Sequence, residues 1–302
     1  MNELVVHLKK DLKMISSDSI FLISMLVLVV MAFIMAFESS WSYVDGSFGY
    51  YSTLTTRYII ERKQVSTLDE YWIGLCNLYT ILLTMISSML LTSEKESGMM
   101  SYILTLRTHK WRFFLSKFAI VLGVSTLIAV VSMLAYLIVF SAMDVPFLGV
   151  NDVLASMLLP FLTILIFSAI GLAVSALVRK KGAAIALSVV VWLVISLGYA
   201  TLTSMGESAA FDDPDYDYGT DEWIDFVPLG YKLLIYANPM VLVNGQGDYL
   251  DMTGGAILGV CMVIAYMGLG LALFARERTE QGVIKDLLKK VKGMSHKDGE
   301  QR

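Results

Sequence analysis

Six long stretches of this 302-residue chain carry no Asp, Glu, Lys or Arg: Ser19–Phe37, Tyr71–Ser93, Phe118–Met143, Val153–Val178, Gly182–Gly206 and Met252–Ala275. A helix needs about 20 apolar residues to cross a hydrocarbon layer of about 30 Å, and all six stretches reach or approach that length. Backbone groups in lipid must find partners within their own segment, which leaves helices or closed barrels. A barrel needs short alternating strands, whereas these runs are continuously apolar. The predicted fold class is therefore an all-α membrane protein with six transmembrane helices forming a single transmembrane domain over 1–302. Composition agrees: 56% of the residues are apolar and mean hydropathy is +0.66, more hydrocarbon than a soluble core of this size can hide.

The charges between the stretches set an orientation. An even number of spans puts both ends on one side. That side holds 19 of the 23 Lys and Arg residues, including Lys9, Lys10, Lys13, Lys95, Lys110, Arg112, Lys117 and Arg179–Lys181. The other side holds Arg57, Arg62, Lys63 and Lys232, with 17 of the 27 acids. By the positive-inside rule the basic side is cytoplasmic, so both termini are predicted in the cytoplasm of a multi-pass protein of the cell membrane. No cleavable signal is expected, because Phe33–Trp41 lacks a small-x-small pattern and five spans follow.

In Asn2–Ile15, the residues Leu4, Val5, Leu8, Leu12 and Ile15 recur at helical spacing opposite Lys9, Lys10 and Lys13. This predicts an N-terminal amphipathic interfacial helix. The tail 276–302 repeats the pattern, with Ile284, Leu287, Leu288 and Val291 on one face and lysines around the rest. It suits the anionic inner leaflet or a partner subunit. Residues 38–70 and 207–251 are predicted extracellular loops. The first is rich in aromatics that favour the headgroup zone, Trp41 and Tyr58 among them. The second includes Leu233–Val243, too short to span and broken by Asn238-Pro239; a re-entrant or interfacial half-helix is expected. Pro160 is expected to bend span four. Gly171, Ala173 and Ser175 in that span, and Gly268 and Gly270 in span six, allow close helix packing. Cys76 and Cys261 fall within spans and read as buried, inert thiols.

Several activities lack their residues. The spans carry no ionisable group to bind a coupling proton or sodium ion, which disfavours secondary transport. No G-x-x-x-x-G-K-[S/T] phosphate loop is present, so uphill transport would need an ATPase on another chain. No metal-ligand cluster or nucleophile–base pair is evident. Asp213, Asp215 and Asp217 start like a calcium loop, but Tyr218 stands where the turn needs Gly and Ile224 where a bidentate Glu belongs. A solvated acidic loop is the simpler expectation.

One segment carries a signature. Between spans two and three runs Ser93-Glu94-Lys95-Glu96-Ser97-Gly98-Met99-Met100-Ser101-Tyr102-Ile103-Leu104, followed by Lys110-Trp111-Arg112 and Lys117. Ser93 and Glu96 have capping-box spacing, which predicts a helix starting there, with Met99, Ile103 and Leu106 on one apolar face. Lys117 is expected to snorkel at the start of span three. A short helix held between two long spans is a shape suited to docking.

Residues 93–117 resemble the cytoplasmic coupling loop of ABC-2 type exporter permeases, with Glu94, Glu96, Gly98, Leu104, Trp111 and Lys117 at matching places. Arg107 stands where many members have Pro, and Ser116 where most have Gly. More loosely, the resemblance covers the whole chain, including Asn238-Pro239 ahead of the last span. It implies a transmembrane permease subunit, not itself an enzyme, whose loop helix seats in a cytoplasmic ATP-binding cassette ATPase. Glu94, Glu96, Gly98, Tyr102 and Leu104 would be ATPase-coupling residues, with Gly98 allowing close approach of the loop helix. The chain would bind no cofactor, ATP and Mg belonging to the partner ATPase. A second permease copy, as homodimer or heterodimer, would complete the substrate path, and no nucleic-acid partner is expected. The alternative is a non-transporting membrane scaffold or signal-sensing subunit with a cytoplasmic partner.

Overall fold

The computed structural model describes residues 9–10, 13, 18–47, 56–98, 100, 110–143, 149–213, 216, 223–245 and 251–297. Among them every regular element is a helix: α1 (Ser19–Ser47), α2 (Thr56–Glu96), α3 (Lys110–Ala142), α4 (Val150–Ser156), α5 (Leu158–Leu177), α6 (Lys181–Phe211), α7 (Trp223–Phe226), α8 (Leu229–Tyr236), α9 (Val241–Asn244) and α10 (Met252–Lys297). Six helical segments are long and apolar enough to cross a membrane, α4 and α5 together forming the fourth. The chain is a multi-pass membrane protein.

Several helices outrun the charge-free stretches. α1 and α2 reach into the predicted first outer loop, leaving only 48–55 of it outside the described residues. α10 continues unbroken into the tail as far as Lys297.

α5 is the centre of the bundle. Nearly all its residues from Leu159 to Ala176 are buried, as expected of a helix that is apolar all round. α2 and α10 pack along it, α3 leans on it, and α1 lies against α2 and α3. In lipid, apolar surface gains little by meeting other apolar surface, so helix contacts rest on close packing and hydrogen bonds. Both are present. A Cβ on Gly171 of α5 would collide with the Thr84 carbonyl of α2. A Cβ on Gly270 of α10 would sit 2.9 Å from Phe114 Cζ and 3.4 Å from Ala173 Cα. Gly268, by contrast, faces open space and takes no part in packing here. Gly255 and Gly259 do, each against a leucine of α5, Leu159 and Leu162 respectively.

Buried hydroxyls supply the hydrogen bonds. Tyr79 of α2 donates to the Leu28 carbonyl of α1 (2.8 Å) and its hydroxyl lies 2.8 Å from Ser132 Oγ of α3. Tyr71 donates to the Ser132 carbonyl at 2.7 Å. Trp192 of α6 donates its indole N–H to Thr80 Oγ of α2 at 2.8 Å.

The fourth span is interrupted at Met157, in the turn ahead of Pro160, where the proline's missing N–H and its ring disturb the helical ladder. Cys76 is buried, but Cys261 is exposed on α10, contrary to the expectation for both.

The Asn238-Pro239 break does divide a helical hairpin. α7 and α8 lie on α6, while α9 turns into the core against α5 and α2; Val241, Leu242 and Val243 are all buried. Asn238 pins the turn. Its Nδ2 donates to the Ile195 carbonyl of α6 at 2.8 Å, and its Oδ1 accepts from Met240 N–H at 3.0 Å.

Candidate functional site at the basic end of α2

The predicted helix start at Ser93 does not occur. α2 runs through Ser93 to Glu96 and stops at Gly98, whose φ is +71°. Ser97 N–H still reaches the Ser93 carbonyl (3.1 Å), while Gly98 N–H turns to the Lys95 carbonyl (3.2 Å). This left-handed stop suits glycine, because an L side chain there costs about 1–2 kcal/mol. The chain itself thus demands Gly98. Its surroundings are open, with nothing near an added Cβ.

The last three residues of α2 point in three directions, since successive helical residues are turned by about 100°. Each direction ends on a different helix. Glu94 Oε1 accepts from Lys117 Nζ of α3 at 2.8 Å and from Lys10 Nζ at 3.1 Å. Lys95 Nζ donates to the Ala176 carbonyl at 2.7 Å, in the last turn of α5, where a cation is favoured by the helix dipole. Glu96 Oε2 accepts from the backbone N–H of Lys181 at 3.1 Å. That N–H opens α6, whose own N-cap residue, Lys180, provides no side-chain bond. A carboxylate from another helix therefore caps α6.

Lys181 also donates through Nζ to Asp18 Oδ2 at 2.7 Å. The other oxygen of Asp18 accepts from Ile20 N–H at 3.0 Å and caps α1. Burial pushes the Asp18 carboxyl up, but the Lys181 hydrogen bond and charge and the backbone N–H groups outweigh it and hold the group below its ordinary range. Through these contacts the ends of α1, α3, α5 and α6 join the end of α2 in one network, a ring of helix ends about Glu94, Lys95 and Glu96.

The members of the ring differ in burial. Glu94 and Lys117 are 1% and 0% exposed, whereas the Lys10 side chain is 35% exposed. Lys117 does not snorkel; it is enclosed, with its ammonium 5.0 Å from the centre of the Phe113 ring. Removing one partner of such a buried pair strands the other charge at a cost of about 3–5 kcal/mol, whereas a half-exposed pair contributes about 0–1 kcal/mol. Glu94 Oε2 is buried with no hydrogen-bond partner. Below the ring, Phe113, Phe114 and Phe274 stack at 5.9–6.0 Å, joining the start of α3 to α10.

Of the five predicted coupling residues, Glu94, Glu96 and Gly98 sit together at this end. Tyr102 and Leu104 lie outside the described residues, as do the apolar positions Met99, Ile103 and Leu106 and the residues Asp215 and Asp217 of the acidic loop. The sequence reading missed Lys10, Asp18 and Lys181 as ring members, because each stands far along the chain from Glu94 and Glu96. Among the described residues no cluster of His, Cys, Asp or Glu is able to hold a metal ion.

No curated relative matches the chain. A family model does, over residues 50–275, a stretch that contains α2 through the first half of α10 and every contact described for Glu94–Glu96 except that from Lys10. By that match the chain belongs to the ABC-2 family of transporter proteins, as a membrane-spanning permease component without an ATPase of its own.

Proposed function

We propose that this chain is the permease subunit of an ATP-driven exporter whose motor is a separate ATP-binding cassette subunit seated at the basic end of α2. ATP and Mg are held by that partner. The basic end faces the cytoplasm, both termini lie there, and a second copy of the permease completes the path. Supporting this reading is the junction formed by Glu94, Lys95 and Glu96, which ties one helix end to three others directly ahead of the loop that would meet the motor. A push on that loop is shared at once among α2, α3, α5 and α6. In this arrangement Glu94 acts on its own chain's helices, since its carboxylate is enclosed. Glu96 and Gly98, both exposed, are the members that a partner can reach.

The test is capture and reconstitution. Affinity purification of the chain from its native membrane should retain a phosphate-loop ATPase. Vesicles carrying both chains should move substrate only with hydrolysable ATP. Net accumulation by the chain alone, or recovery of a stable complex without any ATPase, overturns the reading and favours the scaffold alternative.

A further inference from the structure

The ring has one member that is able to leave. Glu94 holds two lysines on a single oxygen, one fully enclosed and one half exposed. If Lys10 departs, Lys117 still neutralises the buried carboxylate, so the departure strands no charge in the interior. Lys117, fully enclosed, has no such way out. The two bonds are therefore unequal: one is fixed, the other exchangeable.

Lys10 also lies in a strongly basic neighbourhood. Lys9 and Lys13, helical like Lys10, are exposed, as are Arg112, Arg179 and Lys180. Of the acids in the junction, Glu96 is exposed, while Glu94 is enclosed and Asp18 is engaged by Lys181. Trp111, 52% exposed with Arg112 stacked 5.4 Å from its ring centre, marks the headgroup level. A surface so placed and so charged complements an anionic lipid leaflet, which attracts juxtamembrane lysines.

We propose that Lys10 is exchanged between Glu94 and the headgroups of anionic phospholipids. An anionic leaflet thereby releases the entry segment from the end of α2, and a neutral one leaves it latched. The lipid surface acts as a regulator of the ring. This rests on the coupling role proposed for the loop only for its consequence in transport; the exchange itself needs no ATPase.

The purified chain, grown on lysine isotopically labelled at Cε so that enclosed and exposed lysines are marked alike, is placed in bilayers of phosphatidylcholine alone or mixed with phosphatidylglycerol. Its lysine Cε resonances are then recorded, with Lys10 and Lys117 identified by Lys10→Arg and Lys117→Arg. The expected result is a Lys10 signal that shifts progressively with phosphatidylglycerol content while the Lys117 signal stays in place. Soluble glycerol phosphate should not reproduce the shift. A Lys10 signal indifferent to the lipid, a Lys117 signal that moves with it, or full reproduction by the soluble phosphate would each overturn the exchange. Because no partner is present, such a failure leaves the permease reading untouched. Failure to capture an ATPase likewise leaves this measurement standing.

Discussion

The backbone of Gly171 lies so close to the carbonyl of Thr84 that no side chain fits between them. Here α5 meets α2 with main chain on both sides. Neither is able to move aside alone. Gly171→Ala should therefore part the two helices and destabilise the protein by about 1–3 kcal/mol. Thermal denaturation in detergent checks this. Gly268→Ala, on the open face of α10, is the control and should leave the melting temperature unchanged.

The Glu94–Lys117 pair predicts an asymmetric set of variants. Glu94→Gln removes the carboxylate to which the enclosed Lys117 donates and should cost about 3–5 kcal/mol. Lys10→Gln should cost no more than about 1 kcal/mol. The double replacement Glu94→Leu with Lys117→Met should recover much of the loss of Glu94→Gln, because it removes both charges. Chemical unfolding of the four proteins separates these outcomes; equal effects of Glu94→Gln and Lys10→Gln would contradict the burial difference.

Gly98 should tolerate Asn better than Ala. Asn enters left-handed backbone more readily than other L residues, whereas Ala there carries a strain of about 1–2 kcal/mol. The strain can be relieved by extending α2, which would redirect the loop. Gly98→Ala is therefore expected to lower ATP hydrolysis coupled to transport in the reconstituted complex more than it lowers thermal stability. Gly98→Trp should abolish that coupling while leaving membrane insertion intact. Parallel assays on Gly98→Asn, Gly98→Ala and Gly98→Trp test the order.

Asp18 sets a limit at low pH. Its carboxyl is held below its ordinary range when folded, against about 3.9 when unfolded. A lowered folded value means that the unfolded chain takes up the proton more readily. The stabilisation from Asp18 is thus present in full above the unfolded value and disappears as pH falls through the folded one. Because the pair with Lys181 is partly exposed, its contribution is small, below about 1 kcal/mol. Stability measured from pH 6 down to pH 3 should fall less steeply in Asp18→Asn than in the parent; identical slopes would remove Asp18 from the account.

The architecture was legible because a membrane makes charge conspicuous. Ser19–Phe37 and its five counterparts announce themselves by what they lack, and each lies within a helix or helix pair. Details that depend on partners distant in sequence were not legible. Lys117 looks like any lysine at a span boundary; only the fold brings Glu94 over it. Ser93 and Glu96 read as the start of a new helix, yet Glu94, Lys95 and Glu96 end α2 and each bonds a different helix. Gly268 and Gly270 are two residues apart and equally small, but the helical turn between them sends one to Ala173 and the other to open space. Pro160 did mark an irregularity in span four, the break at Met157 falling in the turn just ahead of it. Asn238-Pro239 did mark its turn, as that pair seldom continues a helix.

α2 is unbroken for 41 residues, about 60 Å at a helical rise of about 1.5 Å per residue, twice the thickness of the hydrocarbon layer. Its contact with Gly171, at Thr84, is far from central. From there the helix extends about 18 Å to Glu96 but about 42 Å to Thr56. A beam resting on so uneven a fulcrum multiplies travel: a rocking that shifts the Glu96 end by one ångström swings the far end by more than two. The short arm carries the charged junction and the long arm runs the other way, so in the proposed exporter a small stroke at the Glu96 end would become a larger one at Thr56.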